Sequence, residues 1–403
     1  WRTPFVIIAC GCLIGVLTFG PRSSAGFIMQ PMSTDFAWGR DVFAFAFAIQ
    51  NLLWGVGQPI AGALADRFGT PRVLMTGAIL YALGLSLMVY SNTPLVLTAT
   101  LGILVGFGLS GASFNLVVTA IGKLIPEHLR STAMGAATAA GSFGQFLFAP
   151  LCVALIASYG WMTTVVVFAA LVLFVVPLSL ALATPKNEAA STASADSGER
   201  LGFTAALRQA FGHRSYVFLV LGFFTCGFQL AFVTAHLPAY LTDKGMPAWV
   251  GGTVMATIGL CNIVGALGAG WLGNKVPKRY ILSVIYLMRA VSIFLFITIP
   301  MTPTTAMIYA AITGVTWLST VPPTSGLVAT MFGTRWLSML FGFVFFSHQV
   351  GGFLGVWLGG LVYESTKSYD PVWYLAIALG IFSALINLPI VEKPAARMAI
   401  KPA

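Results

Sequence analysis

The chain has 403 residues, of which 58% are hydrophobic and only 8% are charged. A soluble domain carries about 25% charged residues, so this composition excludes a soluble protein and indicates an integral membrane protein. The formal charge of +10 does not indicate a nucleic-acid partner, because the basic residues are concentrated in alternate loops of the predicted structure.

Apolar stretches of the chain predict twelve transmembrane helices, which we number spans 1 to 12 in chain order. Their predicted ranges are 4–30, 41–64, 73–91, 94–122, 131–157, 161–183, 216–241, 249–273, 280–300, 304–331, 337–363 and 371–390. The stretch between spans 6 and 7 is polar and rich in Ser and Ala, which is typical of a linker. We therefore expect an N-terminal six-helix bundle, a cytoplasmic linker, a C-terminal six-helix bundle and a cytoplasmic tail, at 1–183, 184–215, 216–391 and 392–403.

Lysine and arginine residues predict how the chain is oriented in the membrane. Apart from Arg22 and Arg289, sixteen of them lie on the side of the N-terminus and three, Arg40, Lys244 and Lys367, lie on the opposite side. We expect a monomer in the lipid bilayer of the cell inner membrane, a multi-pass protein with both termini in the cytoplasm.

The two halves of the chain resemble each other at an offset of about 207 residues, judged by a repeated stretch after spans 2 and 8. The matched pairs are Leu64 with Leu272, Asp66 with Asn274 and Arg67 with Lys275. A parallel duplication of this kind places the cargo near the midplane, in a cleft between the halves.

The stretch from Gly62 to Gly69, followed by Arg72, resembles the loop 2–3 motif of the major facilitator superfamily. This resemblance implies an all-α integral membrane protein with twelve helices in two pseudo-symmetric six-helix bundles. It also implies that Asp66, Arg67 and Arg72 form a latch for the outward-open state, with Asn274 and Lys275 as a weaker second copy. The alternative is that these charges only set the topology.

Two arginines, Arg22 and Arg289, lie inside hydrophobic runs, whereas all eleven Asp and Glu residues fall at predicted helix ends or in loops. An unpaired cation is costly inside a bilayer, so it usually faces a polar cavity, and its missing counter-ion is a candidate cargo. The planar fork of Arg22 matches a carboxylate, although a snorkelling or helix-capping role is the alternative. For Arg289 the alternative to cargo binding is hydrogen bonding to neighbouring carbonyls.

Span 1 shows a finer resemblance. The stretch from Phe19 to Ser24 is similar to the Pro-Lys-Ser stretch of helix 1 in proton-linked monocarboxylate transporters, with Arg22 at the position of their lysine. The stretch from Phe341 to Gln349 resembles helix 11 of bacterial relatives. It aligns His348 with a lysine of the oxalate:formate antiporter that pairs with a substrate carboxylate. One departure is Ala266, which stands where those families usually carry an arginine, so Arg22 acts alone or with His348 or Arg289.

Other polar residues in the apolar runs complete the predicted site. Gln229 is paired with Arg22 by the repeat, and Asn115, Asn262 and Gln349 are further candidate cargo contacts, with helix–helix contact as the alternative for these amides. Histidine is the one side chain here that changes charge near neutral pH. We therefore expect proton coupling at His348, or second at His236, against the alternative of neutral histidines bonded to carbonyls.

Together these features predict a secondary transporter of a small organic anion, a monocarboxylate, by proton-coupled symport with alternating access. The alternatives are an organic anion exchanger, a drug or cation exporter, and a non-transporting sensor. An exporter normally needs an intramembrane acid, and a sensor needs a signalling tail. No catalytic arrangement indicates an enzyme. No cofactor is expected, and the five cysteines lack the spacing of a metal site.

Overall fold

A computed structural model describes residues 3–183, 203–333 and 337–395, and the regular structure within these ranges is helical, with no strand. This confirms the predicted all-α membrane fold. Most of the predicted linker and of the predicted tail, residues 184–202 and 396–403, lies outside the described residues.

Twelve spans form the described part of the chain, close to the predicted ranges. Span 1 is Pro4–Ser23 and Gly26–Asp35, span 2 is Arg40–Phe68, span 3 is Thr70–Met88, span 4 is Pro94–Leu97, Thr98–Leu104, Val105–Gly111 and Phe114–Leu124, and spans 5 and 6 lie in Glu127–Leu173, continued by Val175–Ser179 and Leu180–Leu182. Spans 7 to 12 are Arg214–Asp243, Ala248–Leu272, Lys278–Thr298, Pro303–Thr316 with Val321–Phe332, Leu337–Thr366 and Asp370–Asn387.

The long helix Glu127–Leu173 folds back on itself at Gly160, which has a φ of 77°. The rings of Phe148 and Phe168 lie 5.2 Å apart, whereas a straight helix would separate residues twenty positions apart by about 30 Å. Length and hydropathy identify ten candidate membrane spans in the described chain, with residues 133–182 counted once. This fold-back and the 29-residue span 2 bring the number to twelve.

One short helix, Phe203–Phe211, lies in the part of the predicted linker that is described. Its apolar residues recur at helical spacing, and Ala206 and Ala210 are buried. The polar composition of the segment as a whole hides this local amphipathic pattern, which explains why a helix was not expected there.

Spans 1, 4 and 10 were each predicted as one continuous helix, and each is interrupted, span 4 at Ala112 and Ser113. Span 1 breaks at Ser24 and Ala25, and span 10 breaks at residues 317–320, immediately before Pro322 and Pro323. A proline lacks an amide hydrogen and its ring clashes with the carbonyl four residues before it, so a proline pair interrupts a helix and leaves carbonyl groups of the preceding turn without intrahelical donors. The break in span 10 therefore requires other donors, and the candidate site supplies them.

The two halves have separate hydrophobic cores, one built mainly from residues 7–182 and the other from residues 210–390. They contact each other mainly along spans 2 and 11 and along spans 5 and 8. We call the side with residues 69 and 273–277 the terminal face, and the side with residues 36–39, 89–93, 244–247 and 367–369 the distal face.

The two halves approach closely at several points near the distal face, whereas some seam helices have open space beside them near the terminal face. On the distal side, a Cβ added to Gly26 in span 1 would lie 2.2 Å from the Thr234 carbonyl oxygen in span 7, so only glycine fits. Toward the terminal face, a Cβ added to Gly62, Gly135 or Gly342 would have no atom within 4 Å. These glycines lie on three of the four spans that line the seam, and each has open space where a side chain would stand.

Candidate functional site

Arg22 lies beside the interruption of span 1 and reaches toward span 2. Its Nη2 donates to Oδ1 of Asn51, and Nδ2 of Asn51 in turn donates to the Phe47 carbonyl over 2.8 Å. The guanidinium also lies over the ring of Trp54, 4.6 Å from the ring centroid. Its Nε is buried without a partner. Arg22 is therefore held in one orientation by span 2 while part of its donor capacity stays unused.

An aromatic row links Arg22 to His348 across the seam between the halves. Trp54 packs edge-on against Phe345 of span 11, with ring centroids 5.5 Å apart, and its Nε1 donates to Oε1 of Gln58 over 3.1 Å. Phe345 stacks on His348 at 5.7 Å with an interplanar angle of 7°. The structure thus places Arg22 and His348, the two main predicted site residues, at the two ends of one row, separated by the rings of Trp54 and Phe345.

His348 is half-buried and contacts polar and aromatic neighbours. Its Nδ1 lies 3.2 Å from Oε1 of Gln349, and its ring lies 5.1 Å from that of Phe223. Gln349 is buried, its Nε2 has no partner, and its Cβ lies against Gly55 of span 2. Gln349 therefore orients the imidazole and keeps a free amide donor at the seam.

Arg289 occupies a different environment, because it is only 3% exposed and its donors are used by the protein. It donates to the carbonyl oxygens of Thr316 and Trp317, at the break in span 10. Its Nη1 lies 3.5 Å from Oε1 of Gln229, and Nε2 of Gln229 donates to the Ala376 carbonyl over 2.9 Å. These contacts favour the structural alternative for Arg289 and Gln229, and they place Gln229 against Arg289.

Asn262 and Asn115 differ in how far their side chains are satisfied. Asn262 is buried, donates to Oγ of Ser142 over 2.7 Å and accepts from the Leu318 amide over 2.9 Å. It therefore joins spans 5 and 8 and binds the backbone at the break in span 10. Asn115 is half-buried beside the interruption of span 4, and it remains a candidate cargo contact.

His236 is fully buried, and its contacts are with residues outside the aromatic row. Its Nε2 lies 2.8 Å from the Val356 carbonyl oxygen, and its Nδ1 lies 3.3 Å from the Tyr369 hydroxyl. A carbonyl can only accept, so Nε2 carries the hydrogen and Nδ1 accepts from the hydroxyl. Both ring nitrogens are thus occupied in the closed distal half.

The predicted latch residues lie at the terminal face. The side chain of Asp66 lies outside the described residues. Arg67 lies over the ring of Phe68 at 5.2 Å, and Lys275 lies over Trp271 at 3.9 Å. Arg72 and Asn274 are exposed. The latch stays a prediction.

Two residues of functional interest were missed by the sequence reasoning. Trp54, which carries the Arg22 guanidinium on its face, was one of many aromatics in apolar runs. Arg40 was counted only as a distal loop charge, yet it pairs with Asp243, which is 203 positions away in the sequence. The sequence did hold an indication for Arg40. A cation at the start of a helix is unfavourable, because the N-terminal end of the helix dipole is positive.

The chain is similar to known membrane transporters. The model of the Major Facilitator Superfamily matches residues 11–356. The chain is 29% identical over 394 residues to the uncharacterized MFS-type transporter YcxA of Bacillus subtilis (strain 168), covering 95% of this chain and 94% of that protein. It is 29% identical over 389 residues to monocarboxylate transporter 13 of Rattus norvegicus, covering 96% and 89%.

Solved structures agree in fold. A crystal structure of a D-xylose-proton symporter superposes with a TM-score of 0.77 at 15% identity, covering 96% of this chain and 98% of that chain. An inward-facing, unoccupied bacterial homologue of the human lysosomal transporter Spinster superposes with a TM-score of 0.71 at 14% identity, covering 95% and 93%. At these identities the likeness shows the fold alone.

Proposed function

Because the chain belongs to the Major Facilitator Superfamily and is a multi-pass membrane transporter, we propose that its cargo is a small organic anion, a monocarboxylate. The observation that carries this proposal is Arg22, a cation that has no ion pair with any described side chain and whose Nε is without a partner. A cation in this condition is costly in a membrane, and an anion that completes its hydrogen bonds offsets the cost.

The surroundings of Arg22 favour one carboxylate over two. Arg289, the other arginine inside a hydrophobic run, is occupied by backbone carbonyls, so of these two arginines Arg22 is the one available to cargo. A single guanidinium fork matches a single carboxylate. The rings of Trp54, Phe345 and Phe223 offer an apolar wall to the rest of a small molecule. The relatives named monocarboxylate transporters support the same class.

His348 is the proposed proton site. Its Nδ1 faces an amide oxygen of Gln349, which accepts a hydrogen bond, so Nδ1 carries the hydrogen of the neutral ring and Nε2 receives the transported proton. His236 is fully buried with both nitrogens hydrogen-bonded, whereas His348 is only half-buried, which favours His348. Protonated His348 places a second positive group on the wall that holds Arg22, which strengthens anion binding. Loss of that proton weakens binding and favours release.

The excess of Lys and Arg on the terminal face supports a cytoplasmic location for that face and for both termini, in the cell inner membrane. With that orientation the open cleft is an inward-open state. Cargo and proton enter when the distal face opens, and they leave through the terminal face after the halves rock back. Symport of this kind requires that the two open states interconvert through a closed one.

A ligand panel tests the proposed cargo class. Purified wild type, Arg22→Ala and Arg214→Ala are heated with mono-, di- and aromatic carboxylates and with organic cations. Arg214 is an exposed cation near the terminal face, so its variant controls for the loss of one positive charge. We expect monocarboxylates to stabilise the wild type and Arg214→Ala but not Arg22→Ala. Stabilisation by cations alone would support the exporter alternative.

A second experiment tests the proton site. Uptake into vesicles is measured as a function of external pH for wild type, His348→Gln and the control His213→Gln, in which the histidine lies outside the spans. We expect His348→Gln to keep anion-for-anion exchange and to lose the rise of uptake at low pH. Uptake that stays fully pH-dependent in His348→Gln moves the proton site elsewhere. A wild type that only exchanges anions, without protons, supports the exchanger alternative.

A further inference from the structure

Arg40, the first residue of span 2, is the centre of a cluster at the distal face. It is only 9% exposed, and its Nη1 and Nη2 donate to the two carboxylate oxygens of Asp243 over 2.5 and 2.7 Å. Its Nη1 also donates to the Tyr369 hydroxyl over 3.1 Å. Its guanidinium lies over the ring of Tyr363 at 4.0 Å. A bidentate pair with an aromatic face is the geometry in which arginine binds most strongly.

Each of these contacts joins the N-terminal half to the C-terminal half. Asp243 ends span 7, Tyr363 lies near the end of span 11, and Tyr369 immediately precedes span 12. The backbone amide of Arg40 adds a fourth tie, because it donates to Oε1 of Glu364 over 2.7 Å. One residue of span 2 therefore holds three elements of the other half at the closed end of the cleft.

We propose that Arg40 is the lock of a distal gate, which keeps that face shut while the terminal face is open. Cargo from the distal side passes only after the Arg40–Asp243 pair has separated. Asp243 is 28% exposed in its side chain, so water reaches the carboxylate and lowers the cost of separating the charges. The pair therefore stabilises the closed gate without making it permanent.

His236 positions the Tyr369 hydroxyl, which is one of the partners of Arg40. The Tyr369 hydroxyl accepts from Arg40 and donates to Nδ1 of His236, whose Nε2 donates to the Val356 carbonyl. This chain of hydrogen bonds connects the surface pair to the buried packing of spans 7 and 11. It gives His236 a structural task in the gate, separate from the transported proton.

The test is a distance measurement across the distal face, made without cargo. Spin labels are attached at exposed positions 92 and 304, one in each half, in a chain whose five native cysteines are replaced. Arg40→Gln is expected to raise the population with a long label distance on the order of 10-fold, because it removes the cation of a partly buried pair. Lys244→Gln is the matched control, since Lys244 is an exposed cation of the distal face that lies over the ring of Tyr240 within the C-terminal half.

A charge exchange sharpens the result. Arg40→Asp and Asp243→Arg should each open the distal face, and the two together should return the distance toward that of the wild type. The rescue is expected to be partial, because the carboxylate at position 40 then faces Glu364. Single variants that keep the closed distance overturn the proposal, as does a control that opens as far as Arg40→Gln. The distances do not depend on what the cargo is, so this outcome is independent of the monocarboxylate proposal.

Discussion

Replacement of Arg22 by alanine should weaken cargo binding about 100-fold or more, while it lowers the stability of the empty protein by no more than about 1.5–3 kcal/mol, the contribution of its bond to Asn51. A hydrogen bond to a charged group contributes about 1.5–3 kcal/mol, and two such bonds to a carboxylate give about 3–6 kcal/mol. Each 1.4 kcal/mol corresponds to a factor of about ten. In the empty protein the arginine has an unpartnered Nε and no ion pair with a described side chain. Its removal therefore costs little more than the bond to Asn51.

The assay is calorimetric titration of a monocarboxylate into wild type, Arg22→Ala, Arg22→Lys and Arg214→Ala, with a thermal melt of each empty variant. Arg22→Lys should bind at an intermediate strength, because a point charge replaces the planar fork. Arg214→Ala should bind like the wild type. If Arg22→Ala binds the same ligand within about threefold of the wild type, below the effect of even one charged hydrogen bond, the assignment of Arg22 is wrong.

Three further predictions concern the rest of the framework. Arg289→Leu should destabilise the empty protein by about 3 kcal/mol or more, because several buried acceptors lose their donor; an unchanged unfolding temperature contradicts this. Asn262→Leu should lower the free energy of unfolding by roughly 1–3 kcal/mol, because its bonds to Ser142 and to the Leu318 amide are lost. Chemical denaturation measures this change, and an unchanged free energy of unfolding would contradict the prediction. Asp66→Asn should change the ratio of inward to outward states, measured by labelling each face, with little change in intrinsic affinity. A change in affinity alone argues against the latch.

The spans were predictable because a bilayer imposes one length scale on every crossing helix. Even the turn at Gly160 fell between the predicted spans 5 and 6. The break in span 10 was not predicted, although Pro322 and Pro323 signalled it. Hydropathy is an average over a window of residues and does not depend on where a helix loses its hydrogen bonds. It therefore could not indicate the unpaired carbonyls that Arg289 binds.

The candidate site was predictable only in part. An arginine inside an apolar run identified Arg22, but the same reasoning also selected Arg289, whose donors turned out to be used by backbone carbonyls. The difference lies in tertiary contacts between spans 9 and 10, which no local pattern encodes. Likewise the partners of Arg40 are 203 and 324 positions away in the sequence, so its role required the folded arrangement.

The most direct test of the central claim is simultaneous measurement of anion and proton movement in vesicles that contain the purified protein. A labelled monocarboxylate is supplied outside with an inward proton gradient, while a pH-sensitive dye reports the interior. The account predicts that anion and proton enter together, that a proton-collapsing ionophore abolishes accumulation, and that Arg22→Ala stops both movements. Anion accumulation that proceeds without proton entry, or that persists in Arg22→Ala, would contradict it.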